Sequence, residues 1–236
     1  MREVLLERFS AFGLEISPEQ AEKFCLYHTL LGEANARFNL TRVPEEISEA
    51  VDRNYLDSAC ALKIGLIADA QRIVDVGTGA GFPGIPLAIL LPEREFTLLD
   101  ALGKRVEFLR EVIDRLGLNA RAVKMRAEEA GRSAQMREQF DLAVSRAVAP
   151  MRVLAELMLP LVRVGGGMLA YKGPGLGEEM EAAQTALELL GGRAAGVFPA
   201  EIPGRDWRHA LARIEKARAT PEKYPRRVGI PEKRPL

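Results

Sequence analysis

Apolar residues in the first third of the chain recur at three- and four-residue spacing. Val4, Leu5, Phe9 and Phe12 form one series, and Phe24, Tyr27, Leu30, Leu31 and Ala34 form a second. This period predicts amphipathic helices. Ser17-Pro18-Glu19-Gln20 supplies a helix start, with Ser17 as cap, Pro18 in the first turn and Gln20 at the capping-box position. A further helix is expected over residues 45–67. From Arg72 the pattern changes to short apolar runs that end in glycine or acid. Strands are expected at 72–76, 96–100, 120–125, 140–144 and 168–171, with helices at 84–91, 104–116, 150–164 and 177–190 between or after them. The triplet Gly165-Gly166-Gly167 is read as the stop of the helix over 150–164. Two last strands, around 194–202 and 210–216, have no helix between them and predict a hairpin. Strand–helix alternation over about 150 residues implies a mostly parallel sheet with helices on both faces. The expected organisation is a helical extension over 1–68, a ligand-binding α/β domain over 69–218, and a basic, proline-rich and irregular tail over 219–236.

Composition narrows the class. With 236 residues, 47% hydrophobic and 28% charged, the chain can bury a core without staples. Cys25 and Cys60 form no CxxC pair, which fits a reduced, cytoplasmic protein. The longest uncharged stretch, 76–92, is broken by glycine and proline, so no membrane span is expected. Net charge is zero, yet residues 205–236 hold ten Lys/Arg against four Asp/Glu, a balance of +6. That asymmetry points to a surface for a polyanion, or to a merely solvated tail.

The candidate chemistry centres on Asp75-Val76-Gly77-Thr78-Gly79-Ala80-Gly81-Phe82-Pro83-Gly84. Glycines are needed where a chain turns sharply and a ligand approaches the backbone, and a strand-to-helix turn at this sheet edge is where open α/β sheets bind ligands. Gly79 to Gly84 satisfies G-x-G-x-x-G, which suits a dinucleotide. Asp75, two residues before the first glycine, favours a cationic ligand without phosphate, such as S-adenosylmethionine. Asp100 ends the next strand, where a ribose hydroxyl pair can be accepted, and could also cap the following helix. Glu128, or the Ala127–Glu128 backbone, could read a polar ring edge; the alternative is a solvated helix start.

Several blocks resemble one family. Residues 74–86, 98–105 (Leu-Leu-Asp-Ala-Leu-Gly-Lys-Arg), Val144-Ser145-Arg146-Ala147, Phe38-Asn39-Leu40-Thr41, Pro221 to Arg227 and Gly229-Ile230-Pro231 are similar to the small-subunit ribosomal RNA guanine-N7 methyltransferases, also called glucose-inhibited division protein B. The resemblance implies a Rossmann-like seven-stranded methyltransferase fold with a helical N-terminal extension, S-adenosylmethionine as donor, and 16S ribosomal RNA or the small subunit as partner. It implies cofactor contacts at Gly77, Phe82, Asp100, Ala101, Leu102, Ala127, Glu128 and Arg146, to which the loop reading adds Asp75 and Gly79. One departure is visible: Asn54 stands in Asn54-Tyr55-Leu56-Asp57-Ser58 where many members carry histidine.

Guanine N7 already has an in-plane lone pair, so no general base is required. Catalysis is expected to rest on alignment, with Arg146 binding guanine O6, a phosphate or the donor. His28 sits in a helical pattern and reads as core or surface; the role of His209 is open. The basic residues Arg205, Arg208, Arg213, Lys216, Arg218, Lys223, Arg226 and Arg227 form the candidate RNA surface, and Trp207 or Tyr224 could stack on a base. No metal site is expected, and a monomer is.

Overall fold

The computed structural model describes residues 1–38, 40–67 and 69–236. Asn39, within the Phe38–Thr41 block, and Ala68, the expected end of the helical extension, lie outside the described residues. The capping box at Ser17 forms as its sequence implies: Ser17 Oγ accepts from Gln20 N at 3.1 Å and Ser17 N donates to Gln20 Oε1 at 2.8 Å. It opens α2 (Pro18–Arg37), which packs on α1 (Arg2–Phe12).

The helix expected over 45–67 is three pieces instead: α3 (Ile47–Ala50), a π-helical turn (Val51–Leu56) and α4 (Asp57–Lys63). Gly65, at φ +74, turns the chain away soon afterwards. Then follow β1 (Arg72–Val76), α5 (Gly84–Leu90), β2 (Glu95–Asp100), α6 (Gly103–Leu116), β3 (Ala120–Lys124), α7 (Ala127–Ala130), β4 (Phe140–Arg146), α8 (Met151–Met158), a 3-10 turn (Leu159–Leu161), β5 (Val162–Lys172), α9 (Leu176–Leu189), β6 (Gly192–Ala200), β7 (His209–Lys216) and α10 (Ile230–Lys233). The order is β3-β2-β1-β4-β5-β7-β6, with β7 antiparallel to both β5 and β6. The hairpin and the seven-stranded α/β sheet therefore match expectation.

The helix expected over 150–164 ends at Met158. Pro160 stands four residues after Glu156, where a proline ring meets the preceding turn and ends an α-helix. The glycine triplet that was read as a stop lies inside β5. A Cβ on Gly166 would come 2.4 Å from Asp141 O, and one on Gly167 2.6 Å from Ile214 O. Those glycines allow close strand approach rather than a turn.

Side chains alternate between two cores, one on each sheet face. Ile73, Leu98, Leu142, Leu169 and Tyr171 join the core shared with α1, α2, α4, α5 and α6. Val74, Leu99, Ala143, Met168 and Ala170 face α8 and α9. The helical extension thus covers one face of the sheet as part of its core.

The tail is mostly irregular, as its prolines suggest, but it is pinned down. Arg137 donates to Thr220 O at 2.6 Å and Tyr224 O at 2.7 Å, and Arg132 to Pro225 O at 2.7 Å. Glu128 Oε1 accepts from Gly229 N at 2.9 Å, and Arg152 Nε donates to Leu236 O. Lys216 is fully buried, bonded to Leu159 O and Thr220 Oγ1, and burial pushes its ammonium down to about 8.

Candidate active site

The carboxyl ends of β1, β2 and β3 surround a cavity of about 240 Å³. Its apolar walls come from Val76, Leu99, Met125, Val153 and Leu157, and its polar positions include Gly77, Asp100, Ala127, Glu128 and Glu232. Gly77 is held at φ +69, and a Cβ there would lie 2.7 Å from Val148 Cγ2. The loop therefore needs glycine both for its turn and for the close cover by Val148. Asp100 organises the mouth: Oδ2 accepts from Gly79 N at 3.0 Å and Oδ1 from Leu102 N at 2.8 Å.

The sequence candidates separate here. Gly77, Asp100, Ala101, Ala127 and Glu128 line this cavity; Gly79 and Leu102 reach it through their hydrogen bonds to Asp100. Asp75 does not line it. The Asp75 side chain is buried, and its Oδ2 accepts from Thr78 Oγ1 at 2.6 Å and Gly84 N at 2.8 Å. It staples the two ends of the glycine loop, and burial pushes its carboxyl up to about 6. Its Oδ1 is without a hydrogen-bond partner among the described residues. Through Oδ2, Asp75 thus holds the glycine loop closed. Glu128 is similarly engaged with Gly229 N, and Ala127 and Glu128 both line the cavity. Phe82 faces away, into an aromatic cluster with Tyr27 and Tyr55.

A second cavity, of about 320 Å³, lies beyond the end of β4. Arg146 is in its wall, 4.7 Å above the Phe82 ring. Arg146 Nη1 donates to Asp57 Oδ2 at 2.9 Å and to Arg53 O at 3.0 Å. Asp57 Oδ1 meets His209 Nδ1 at 2.8 Å. Burial of Asp57 opposes its ionisation, but the hydrogen bonds from His209 and Arg146 outweigh it and hold the carboxyl below its ordinary value. Asn54 is in the same wall, its Nδ2 buried without a partner among the described residues. Arg53 lies 4.4 Å over the Trp207 ring. Asp57, Arg53 and Lys172 carried no sequence signal of function. Asp57 sat inside a quoted run, but its partners are 89 and 152 residues away.

The two cavities meet at the segment 146–149. Arg146 and Ala147 line the second, Val148 and Ala149 the first. Ala147 has φ +56, a left-handed conformation that costs an alanine about 1–2 kcal/mol and is characteristic of functional turns. Lys172 holds this segment by donating to Ala149 O at 2.6 Å.

The basic candidates also divide. Arg208, Lys223 and Arg227 are exposed. Arg205 is bound to Asp52 at 2.7 Å, and Arg226 grips the fully buried Glu156 at 2.6 Å. Lys216 is buried and Arg213 half-buried. Only Lys216 is thereby removed from an RNA surface; Arg205, Arg213 and Arg226 are partly exposed. Tyr224 is buried, not poised to stack. Among the described residues no group of three His, Cys, Asp or Glu side chains is placed to hold a metal, and no helix is long and apolar enough to cross a membrane.

Residues 20–202 match the family model GidB, described as rRNA small subunit methyltransferase G. The chain belongs to this family. It is 43% identical over 225 residues to the ribosomal RNA small subunit methyltransferase G of Clostridium perfringens strain 13, covering 95% of this chain and 94% of that one. The Symbiobacterium thermophilum protein of the same name is 44% identical over 241 residues, covering 100% and 98%. Among solved structures, a branched-chain polyamine synthase mutein from Thermus thermophilus aligns with a TM-score of 0.54 at 16% identity, over 82% of this chain and 64% of that one; this likeness concerns the fold alone. Family membership makes the chain an S-adenosylmethionine-dependent methyltransferase of small-subunit ribosomal RNA. The first cavity fits that donor: it has apolar walls for a ring, Asp100 at its mouth, and Glu128, Glu232 and Arg126 around its rim.

Proposed function

We propose that the chain methylates N7 of a guanine in 16S ribosomal RNA, as a cytoplasmic monomer acting on the RNA or the small subunit. The observation that carries this reading is the junction of the cavity at the ends of β1, β2 and β3 with a basic cavity at residues 146–149. Gly77, Asp100, Ala101 and the Ala127–Glu128 backbone would hold S-adenosylmethionine, which supplies an electrophilic methyl group when bound. Arg146, fixed by Asp57 and the Arg53 carbonyl, orients the base through O6 and leaves N7 free. Val148 closes over Gly77 and keeps water from the junction. The N7 lone pair is the nucleophile and the product ring keeps the positive charge, so no proton has to be removed; alignment is the main contribution. Arg208, Lys223 and Arg227 would engage phosphates.

The presence of His209 on Asp57 favours one second reading, base-assisted methylation at guanine N1 or N2, where a proton must leave. Transfer of tritium from labelled donor to small-subunit RNA, followed by mapping of the product, decides between them. N7-methylguanine at a single position is expected. A product on another atom, or no RNA product, would overturn the N7 reading.

A further inference from the structure

Asp57 joins two groups that face the second cavity. Because the carboxyl is ionised, it can only accept hydrogen bonds, so His209 Nδ1 must carry the proton in their 2.8 Å contact. Nε2 is the ring's other polar atom, and in the form that carries its proton on Nδ1 alone it is an acceptor. The ring plane is fixed further by Trp207, whose ring centroid is 5.7 Å away at an interplanar angle of 30°. The second group, Arg146, is donor only. Its Nη1 is held by Asp57 and by Arg53 O, while Nε and Nη2 make no hydrogen bond to the described residues.

The π-helical turn contributes to this placement. Asp57 N donates to Asp52 O, five residues back, instead of to Arg53 O, four back. Arg53 O is thereby turned to Arg146. One inserted position in a helix thus provides both acceptors that hold the arginine, a use in keeping with the frequency of π turns at functional sites.

A donor beside an acceptor, both anchored on one carboxylate, matches one purine edge. Guanine presents the O6 acceptor next to the N1–H donor, whereas adenine presents an amino donor next to the N1 acceptor. Resting on the guanine reading above, we propose that Asp57 is a positioning residue that fixes Arg146 as donor to O6 and His209 Nε2 as acceptor from N1–H, and that this pair selects guanine.

The test uses the full-length protein and small-subunit RNA carrying either guanine or 2-aminopurine at the mapped target. 2-Aminopurine keeps N7 but lacks both O6 and N1–H. The wild type should favour guanine by about 100-fold in kcat/KM, the discrimination of a well-formed pair of contacts. His209→Leu should narrow that preference about tenfold, and His209→Gln, which retains an acceptor, should recover part of it. Asp57→Asn offers the ring an amide donor, inverts the tautomer, and should narrow the preference as well. Asp57 is buried and its loss strains the fold, so the half-exposed His209 variants, checked by melting temperature and donor affinity, decide the outcome. An unchanged preference in His209→Leu, or His209→Gln no better than His209→Leu, overturns the proposal while the N7 reading stands. If the wild type yields no N7-methylguanine, both fall.

Discussion

The two cavities are built in opposite ways. The donor cavity is made mostly from short, contiguous segments: the tips of three neighbouring parallel strands and the loops that leave them. The second cavity is assembled from the helical extension, the ends of β4 and β5, and the last hairpin. In the first, backbone conformation shapes the wall, so glycines and strand-end acids mark it. In the second, side chains from distant segments hold one another. The comparison teaches that a site's visibility in a sequence follows how local its construction is.

The largest effect should come from the local cavity. Gly77→Val places a β-branched side chain at φ +69, against Val148, and calorimetry should detect no donor binding. Retention of donor affinity within tenfold would show that the loop is not the donor wall. Next is the tail, which separates folding from binding. Arg226→Ala leaves the fully buried Glu156 carboxylate without its guanidinium partner and should lower stability by about 3–5 kcal/mol in denaturant titration. A loss under about 1 kcal/mol would assign Arg226 to the RNA surface alone.

Arg146→Ala sharpens the division between cavities. It should cut kcat/KM for RNA about 100-fold, as removal of a charged transition-state contact does, with donor affinity changed less than threefold. Unchanged turnover would remove Arg146 from the site. The smallest effects belong to exposed charges. Arg208→Ala, Lys223→Ala and Arg227→Ala should each reduce the salt slope of RNA binding by about 1 and leave melting unchanged.

The same distinction explains what was legible beforehand. The seven strands, the hairpin and the capping box at Ser17 follow from local period and local hydrogen bonding. The glycine triplet misled because a glycine can serve a turn or a close strand contact, and only Asp141 O and Ile214 O tell which. Asp75 shows a related ambiguity: an acid at a strand end can meet a ligand or tie its own loop, and only the structure shows that Thr78 and Gly84 claim its Oδ2. Asp57 carried no local mark because its meaning lies in Arg146 and His209. The basic residues after 204 were visible as charge, but a charge count omits the ion pairs of Arg205 and Arg226 and the burial of Lys216.

The clasp between Glu128 and Gly229 brings Pro231 and Glu232 into the donor cavity wall. These residues are translated after every strand of the sheet. The clasp therefore works as a latch on a pocket whose other walls come from the sheet: opening it would remove one side of the cavity and leave all seven strands in place.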